Sequence, residues 1–241
     1  MPLKDKIKNN FSKAAYKYSE SAIVQNDVSS YLATLALDHI KDGDQILDLG
    51  CGTGFLGNEI LKIKKTKFFA SDISQNMLNQ VNDRQIQVNC DFDNLPFQNE
   101  TFDIILSSFA LQWSLDFAHT IEESSRVLKN QATLIFSIPL NGSLAKIKRL
   151  GVQSINNFHD SNFIINALKR ANFEEITFEE KEIDLHYQNP LSLLKNIKDV
   201  GANLVIDNKD NKNNLLSLRK FNNFDDSWNI GYFICKKNKI C

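Results

Sequence analysis

The chain offers little to a metal, a membrane or a redox couple. Its 241 residues hold four cysteines, Cys51, Cys90, Cys235 and Cys241, and four histidines. No C-x-x-C spacing and no cysteine-histidine cluster occurs among them. Neither a bound metal nor a dithiol pair is therefore expected, and the thiols read as the reduced thiols of a cytosolic protein. A formal net charge of -1 excludes general affinity for nucleic acid or for an anionic membrane, so a charged partner has to be met by a local patch. No run approaches the roughly 18 apolar residues of a membrane span, and MPLKDKIKNNF lacks the apolar stretch of a signal peptide. A cytoplasmic protein is expected. Internal repeats and a composition break marking a second domain are also missing.

What the sequence does contain is alternation. About 40 residues of helical pattern come first, with Val28, Tyr31, Leu32, Leu35 and Ala36 at spacings of three and four and Asn26 or Asp27 as the cap. After the turn at Lys41–Asp44, apolar strand segments alternate with helical ones: QILDLG, FLGNEILKIKK, KFFASD, SQNMLNQVNDR, IQVNCD, FDIILSS, SLDFAHTIEESSRVLKN and ATLIFSIP. This rhythm predicts an α/β fold, a mostly parallel sheet with helices on both faces and ligands bound beyond the carboxyl ends of its strands. The last 100 residues are less regular. They comprise two short amphipathic helices (NGSLAKIKRLG and DSNFIINALKRAN), a strand pair or one long strand (FEEITFEEKEIDLHY) and the helix NPLSLLKNIKDVG. That helix is punctuated by Asn189, Pro190 and Gly201, with Leu194 and Ile197 on its buried side. The polar tract Asp207–Asn214 reads as a loop and WNIGYFICKK as a closing strand. The expected organisation is a single domain over 1–241, with N-terminal helices over 1–41 forming a lid, a cofactor-binding core over 45–139, and substrate-side helices and closing strands over 140–241.

The segment ILDLGCGTGFLG carries two glycine patterns at once. From Gly52 it reads G-x-G-x-x-G, the dinucleotide fingerprint, which would make a nicotinamide-dependent dehydrogenase. From Asp48 it reads D-x-G-x-G-x-G, the signature of S-adenosyl-L-methionine binding. Glycines between a strand and a helix allow a tight turn and let a ligand approach the backbone. Asp72, 20 residues after Gly52, suits the ribose hydroxyls of either cofactor. Three features favour S-adenosylmethionine. They are the acid Asp48 inside the first strand, the acid Asp91 after the third strand, and the long helical segment before the first strand.

From Gln45 to about Pro139 the chain resembles the class I methyltransferases in DLGCGTG, Asp72, CDFDNLPF, TFDIILSS and SSRVLK. Their usual Lys-Pro-Gly-Gly turn is replaced by Lys129-Asn130-Gln131. The resemblance implies that Asp48, Gly50, Cys51 and Gly52 serve the methionine end, Asp72 with Ile73 the ribose, and Asp91 with Phe92 the adenine, with Ser107 beside them. Outside the core, FSKAAYKYSESAIVQ, SSFALQW, NGSL and LKNIKDVGAN resemble segments of the malonyl-acyl carrier protein O-methyltransferases of biotin synthesis.

That likeness implies methyl transfer to the free carboxylate of malonyl-acyl carrier protein or malonyl-coenzyme A, with Tyr18, Gln25 and Trp113 positioning the substrate. A carboxylate is ionised at neutral pH, so no general base is required. Accordingly, no Ser-His-Asp or paired-carboxylate arrangement is visible. Lys146, Lys148 and Arg149, with Lys195 and Lys198, form two basic faces suited to an acidic carrier protein. Arg126, which could clamp a carboxylate, reads as structural. The competing readings are a methyltransferase for another small carboxylic acid or a quinone precursor, and a catalytically inert subunit of the same fold.

Overall fold

The computed structural model of the chain describes residues 1–152, 156–202 and 218–239. The expected loop Asp207–Asn214, Asn203 and Cys241 lie outside them.

Two helices open the chain, α1 (Leu3–Ser21) and α2 (Ile23–Leu37). The sequence pattern places the cap of α2 at Asn26 or Asp27, but the cap is Ala22, four or five residues earlier. The Asn26 amide donates to the Ala22 carbonyl at 2.9 Å, so Asn26 already lies inside the helix. The break falls at Ala22, which is fully buried and departs from helical geometry with ψ 41°.

The alternating region forms β1 (Gln45–Leu49), α3 (Phe55–Leu61), β2 (Lys67–Asp72), α4 (Gln75–Leu78), β3 (Ile86–Asn89), β4 (Phe102–Ser108), α5 (Phe117–Val127) and β5 (Leu128–Pro139). Then follow α6 (Ala145–Arg149), α7 (Ser161–Arg170), β6 (Phe173–Tyr187), α8 (Pro190–Asp199) and β7 (Phe224–Lys237). The seven strands form one sheet in the order β3-β2-β1-β4-β5-β7-β6. Strands β1 to β5 pair in parallel, while β7 runs antiparallel to both β5 and β6. The mostly parallel sheet anticipated from the alternation is thus present. Its order reverses between β1 and β4, which opens a crevice at their carboxyl ends.

Side-chain alternation along the strands divides the core into two layers. Ile46, Ile104, Leu106 and Ile135 pack with Val28, Leu32 and Ala36 of α2, Leu56 and Ile60 of α3, and Leu193 of α8. Leu47, Leu49, Ile105 and Phe136 face the other way, against Phe117 and Ile121 of α5 and Ile164 and Leu168 of α7. Helices on both faces leave the central strands β1 and β4 without a wet side, which is why they read as continuous apolar runs, whereas the edge strand β3 is mostly exposed.

Several local expectations are refined. FEEITFEEKEIDLHY is one long strand, β6, with a register irregularity between Glu174 and Thr177. In β5, Leu128 pairs with Phe102 but Thr133 pairs with Ile104, so the stretch around Lys129–Gln131 bulges out, with Gln131 at φ 64°. This bulge stands where the Lys-Pro-Gly-Gly turn was expected. Helix α8 starts at Pro190 with the Asn189 side chain accepting from the Ser192 amide, and Gly201 follows at φ 77°. Its buried side is Pro190, Leu193 and Ile197, while Leu194 is half-buried. Trp113 belongs to a 3-10 turn, Leu111–Trp113.

Candidate active site

The expected cofactor residues, Ser107 apart, converge on the crevice. Gly50, Cys51 and Gly52 follow β1, Asp72 and Ile73 end and follow β2, Asp91 and Phe92 follow β3, and Phe109 follows β4. All of them line one solvent-open pocket of about 840 Å³.

The loop after β1 needs its glycines. Gly50, Gly52 and Gly54 have φ of 68°, 55° and 78°, the left-handed region that side chains disfavour. A Cβ on Gly50 would sit 2.5 Å from the Ala110 Cβ, on the wall of the same pocket. The Cys51 amide donates to the Ser71 carbonyl at 2.9 Å and the Gly54 amide returns to the Cys51 carbonyl at 2.9 Å, fixing the turn. Burial, reinforced by Asp72 and Asp48, pushes the Cys51 thiol well above its ordinary value. It stays a neutral thiol in the loop and has no nucleophile's character.

Asp48 is 1% exposed, and neither carboxylate oxygen has a hydrogen-bond partner. Burial, with the charge of Asp72 second, raises its pKa to about 8. A buried acid left without donors is costly unless a cationic or donor-rich ligand completes it. Asp72 is better supplied. Its Oδ2 accepts from the Gly52 amide at 3.0 Å and its Oδ1 from the Ser74 amide at 2.8 Å. Burial still raises its pKa to about 6, although both hydrogen bonds pull the other way. Asp91 accepts from the Asp93 amide at 3.0 Å and from the Lys4 ammonium at 2.7 Å, and that ammonium also lies 4.6 Å from the centre of the Phe92 ring.

Ser107 requires a correction. Its hydroxyl is fully buried and donates to the Leu49 carbonyl at 2.8 Å, stapling β4 to β1, so it does not line the pocket. The next residue does so. Ser108 points the other way from β4 into the pocket wall, accepting from Ser29 of α2 at 2.8 Å.

A second solvent-open pocket, of about 670 Å³, adjoins the first. Phe11, Tyr18, Gln25, Phe109 and Trp113 line both, so the three expected substrate-positioning residues stand in a shared wall. Trp113 meets Phe11 edge to face at 5.4 Å. The Tyr18 phenol is held well above its usual range by burial, then by Asp72 and Cys51, so it remains a protonated donor. The side-chain carbonyl of Gln25 is buried without a partner. Farther in, Phe109 and Phe158 flank Trp228 at 5.2 and 5.7 Å. Leu144, Leu193 and Ile197 complete an apolar lining. No Lys or Arg occurs among the described residues of this second lining.

The basic residues lie elsewhere. Lys146, Arg149, Lys195 and Lys198 are exposed, whereas Lys148 is drawn in, its ammonium 4.9 Å over the Phe158 ring and its pKa lowered by burial. Lys148 therefore does not belong to an open basic face. Arg126 is structural as expected. It donates to the Phe97 and Leu95 carbonyls at 2.8 and 3.0 Å and pairs with Glu123 at 2.7 Å, tying down the loop before β4.

Lys4, Gln112, Phe158 and Trp228 escaped the sequence reading. Gln112 and Trp113 come from one tripeptide, so Gln112 carried a signal. Lys4, 87 residues from Asp91, did not.

Sheet order, glycine loop and the row of acids at the strand ends define the fold of the class I, S-adenosylmethionine-dependent methyltransferases. Residues 47–136 match the family model for the methyltransferase domain. Over 243 aligned residues, 98% of this chain and 97% of the relative, the chain is 28% identical to malonyl-acyl carrier protein O-methyltransferase 2 of Coxiella burnetii. It is also 29% identical over 192 residues to the mitochondrial arginine-hydroxylase of Homo sapiens, covering 74% of this chain and 56% of that protein. Phosphoethanolamine N-methyltransferase 2 of Haemonchus contortus, solved in complex with S-adenosyl-L-methionine, superposes with a TM-score of 0.61. That match covers 87% of this chain and 52% of the other, at 17% identity. No helix among the described residues is long and apolar enough to cross a membrane.

Proposed function

We propose that the chain methylates the free carboxylate of a malonyl thioester, carried by acyl carrier protein or coenzyme A, as a step of biotin synthesis. One observation carries the reading. Four separated segments that resemble the malonyl-acyl carrier protein methyltransferases meet around the second pocket: Phe11, Tyr18 and Gln25, then Gln112 and Trp113, then Leu144, then Asn196 and Ile197. The near full-length similarity to the Coxiella burnetii relative points the same way.

The donor fits the first pocket. The unpartnered Asp48 suits a ligand ammonium, the Gly50–Gly52 backbone the methionine end, Asp72 two ribose hydroxyls, and Asp91 with Phe92 the adenine. When bound, S-adenosylmethionine supplies a methyl group on a positively charged sulfur. The residues of the chain have only to align an acceptor oxygen and exclude water. Tyr18, protonated and standing between the two pockets, is suited to donate to one oxygen of the substrate carboxylate. Gln25 and Trp113 border the same point. Since the acceptor arrives ionised, no residue has to remove a proton. The apolar second pocket takes the thioester arm, and the product ester, having lost its charge, suits such a lining.

In this reading residues 1–41 cover the site, 45–139 hold the cofactor and the described residues of 140–241 enclose the substrate, all within one cytoplasmic domain. The exposed Lys195 and Lys198, with Lys146 and Arg149, offer an acidic carrier protein its landing surface. The test is transfer of a tritiated methyl group to malonyl-acyl carrier protein, with acetyl- and succinyl-acyl carrier protein as controls. Transfer to malonyl alone is the expected outcome. Equal transfer to succinyl, or none to malonyl, overturns the substrate assignment.

A further inference from the structure

Lys4, Ile7, Phe11 and Tyr18 follow one another along α1 at spacings of three, four and seven, the repeat of a single helix face. All four line the first pocket, facing the Gly50–Gly52 loop, Asp72 and Asp91 across it. A ligand lying along that loop is therefore enclosed by α1.

Behind the wall α8 supports α1, with Asn196 Nδ2 donating to the Ser21 carbonyl at 3.0 Å, and two further attachments hold its pocket side. The middle of α1 is fastened by packing and neutral hydrogen bonds. Ala14 and Ala15 pack against Met77, the Ser12 and Ser74 hydroxyls are 2.8 Å apart, and Asn76 Nδ2 donates to the Ser12 carbonyl at 3.1 Å. The first turn is fastened by charge. Lys4 Nζ stands 2.7 Å from Asp91 Oδ1 and 2.7 Å from Asp93 Oδ2, its side chain 18% exposed and theirs 28% and 10%. Asp93 is itself fixed, accepting from the Thr120 and Ser114 hydroxyls and from the Leu115 amide. The ammonium thus ties a helix end to an acid already held by three donors, across the ring of Phe92.

We infer that Lys4 is the clasp of a lid. The first turns of α1 must part from Asp91 and Asp93 for the cofactor to enter or its product to leave, and the Lys4 pairs set the rate of that parting. This rests on the reading of Asp91 and Phe92 as the adenine subsite. Packing at Ser12–Ala15 keeps the helix attached while its start moves. Charge-assisted contacts of this kind are strong when closed and weakened by salt.

The experiment is stopped-flow binding and displacement of S-adenosylhomocysteine, read by the fluorescence of Trp113 in the pocket wall, in wild type, Lys4→Met and Lys4→Arg. A clasp slows both directions, so Lys4→Met should raise the association and dissociation rates together, by about three- to tenfold, with the equilibrium constant nearly unchanged. Lys4→Arg should stay close to wild type. Added salt should speed exchange in wild type and not in Lys4→Met. Unchanged rates in Lys4→Met overturn the inference. A faster dissociation with unaltered association also overturns it, because that is the signature of a ligand contact and not of a gate. Asp91→Asn separates the two readings. Unchanged equilibrium affinity in that variant removes the adenine assignment, while the paired rates of Lys4→Met still decide the clasp.

Discussion

The Gly52 amide donates to the Asp72 carboxylate at 3.0 Å, linking the glycine loop to the end of the neighbouring strand. Asp72 thus shapes the loop as well as facing the pocket. Asp72→Ala should weaken S-adenosylmethionine binding by roughly 1.5 to 3 kcal/mol, the scale of a lost hydrogen bond to a charged acceptor. Titration calorimetry checks this, and unaltered affinity would take Asp72 out of the site.

Asp48 gives a pH signature. Its folded-state pKa of about 8 stands above the ordinary 3.8, so between those values the folded chain holds a proton that the unfolded chain has released. The associated stability is complete below about pH 4 and is lost as pH rises through about 8. The raised carboxyl of Asp72 adds to the lower part of that window. Ligand-free wild type should therefore lose thermal stability from pH 5 to 8, and Asp48→Asn should flatten the profile. Binding S-adenosylhomocysteine at pH 7 should release protons, because a ligand ammonium favours the ionised acid. Calorimetry in buffers of different ionisation enthalpy measures that release, and proton uptake would contradict the assignment.

Tyr18→Phe keeps the ring and removes one hydroxyl. Turnover on malonyl-acyl carrier protein should fall roughly tenfold or more, the effect of one lost hydrogen bond to a charged oxygen, with cofactor affinity preserved. Full activity in steady-state assays would return Tyr18 to a packing role beside Phe11 and Met77.

Reversing Lys195 and Lys198 to Glu should raise the KM for malonyl-acyl carrier protein and leave malonyl-coenzyme A much less affected, since opposed charge acts mainly on encounter and orientation. The difference should shrink above about 0.15 M salt, where the Debye length is about 8 Å. Equal loss on both substrates would point to damage in α8. No loss would send the docking surface to Lys146 and Arg149.

The core of the fold was legible because parallel strands buried on both faces write themselves as apolar runs, and the glycine loop because its backbone excludes side chains. The helix start at Ala22 was hidden. Asn26 and Asp27 look like caps, but the break falls at buried Ala22, between a helix docked on α4 and one docked on α3. Ser107 and Ser108 could not be told apart from the sequence, since one residue of strand register exchanges the two faces. Lys4 was illegible for another reason. Its partners are set by the docking of α1, and no spacing in the chain announces a contact across 87 residues. The second pocket drew on the irregular last third, where Trp228 and Phe158 carry no pattern of their own.

The wall of five side chains common to the two pockets also bears on inhibition. A single molecule joining an adenosyl group to a thioester acid through a short spacer would pass Tyr18 and occupy both cavities. Its second half would then bind at the high effective concentration set by the tether and not by solution. Neither half alone has that advantage, so the linked compound should outcompete an equimolar mixture of its parts.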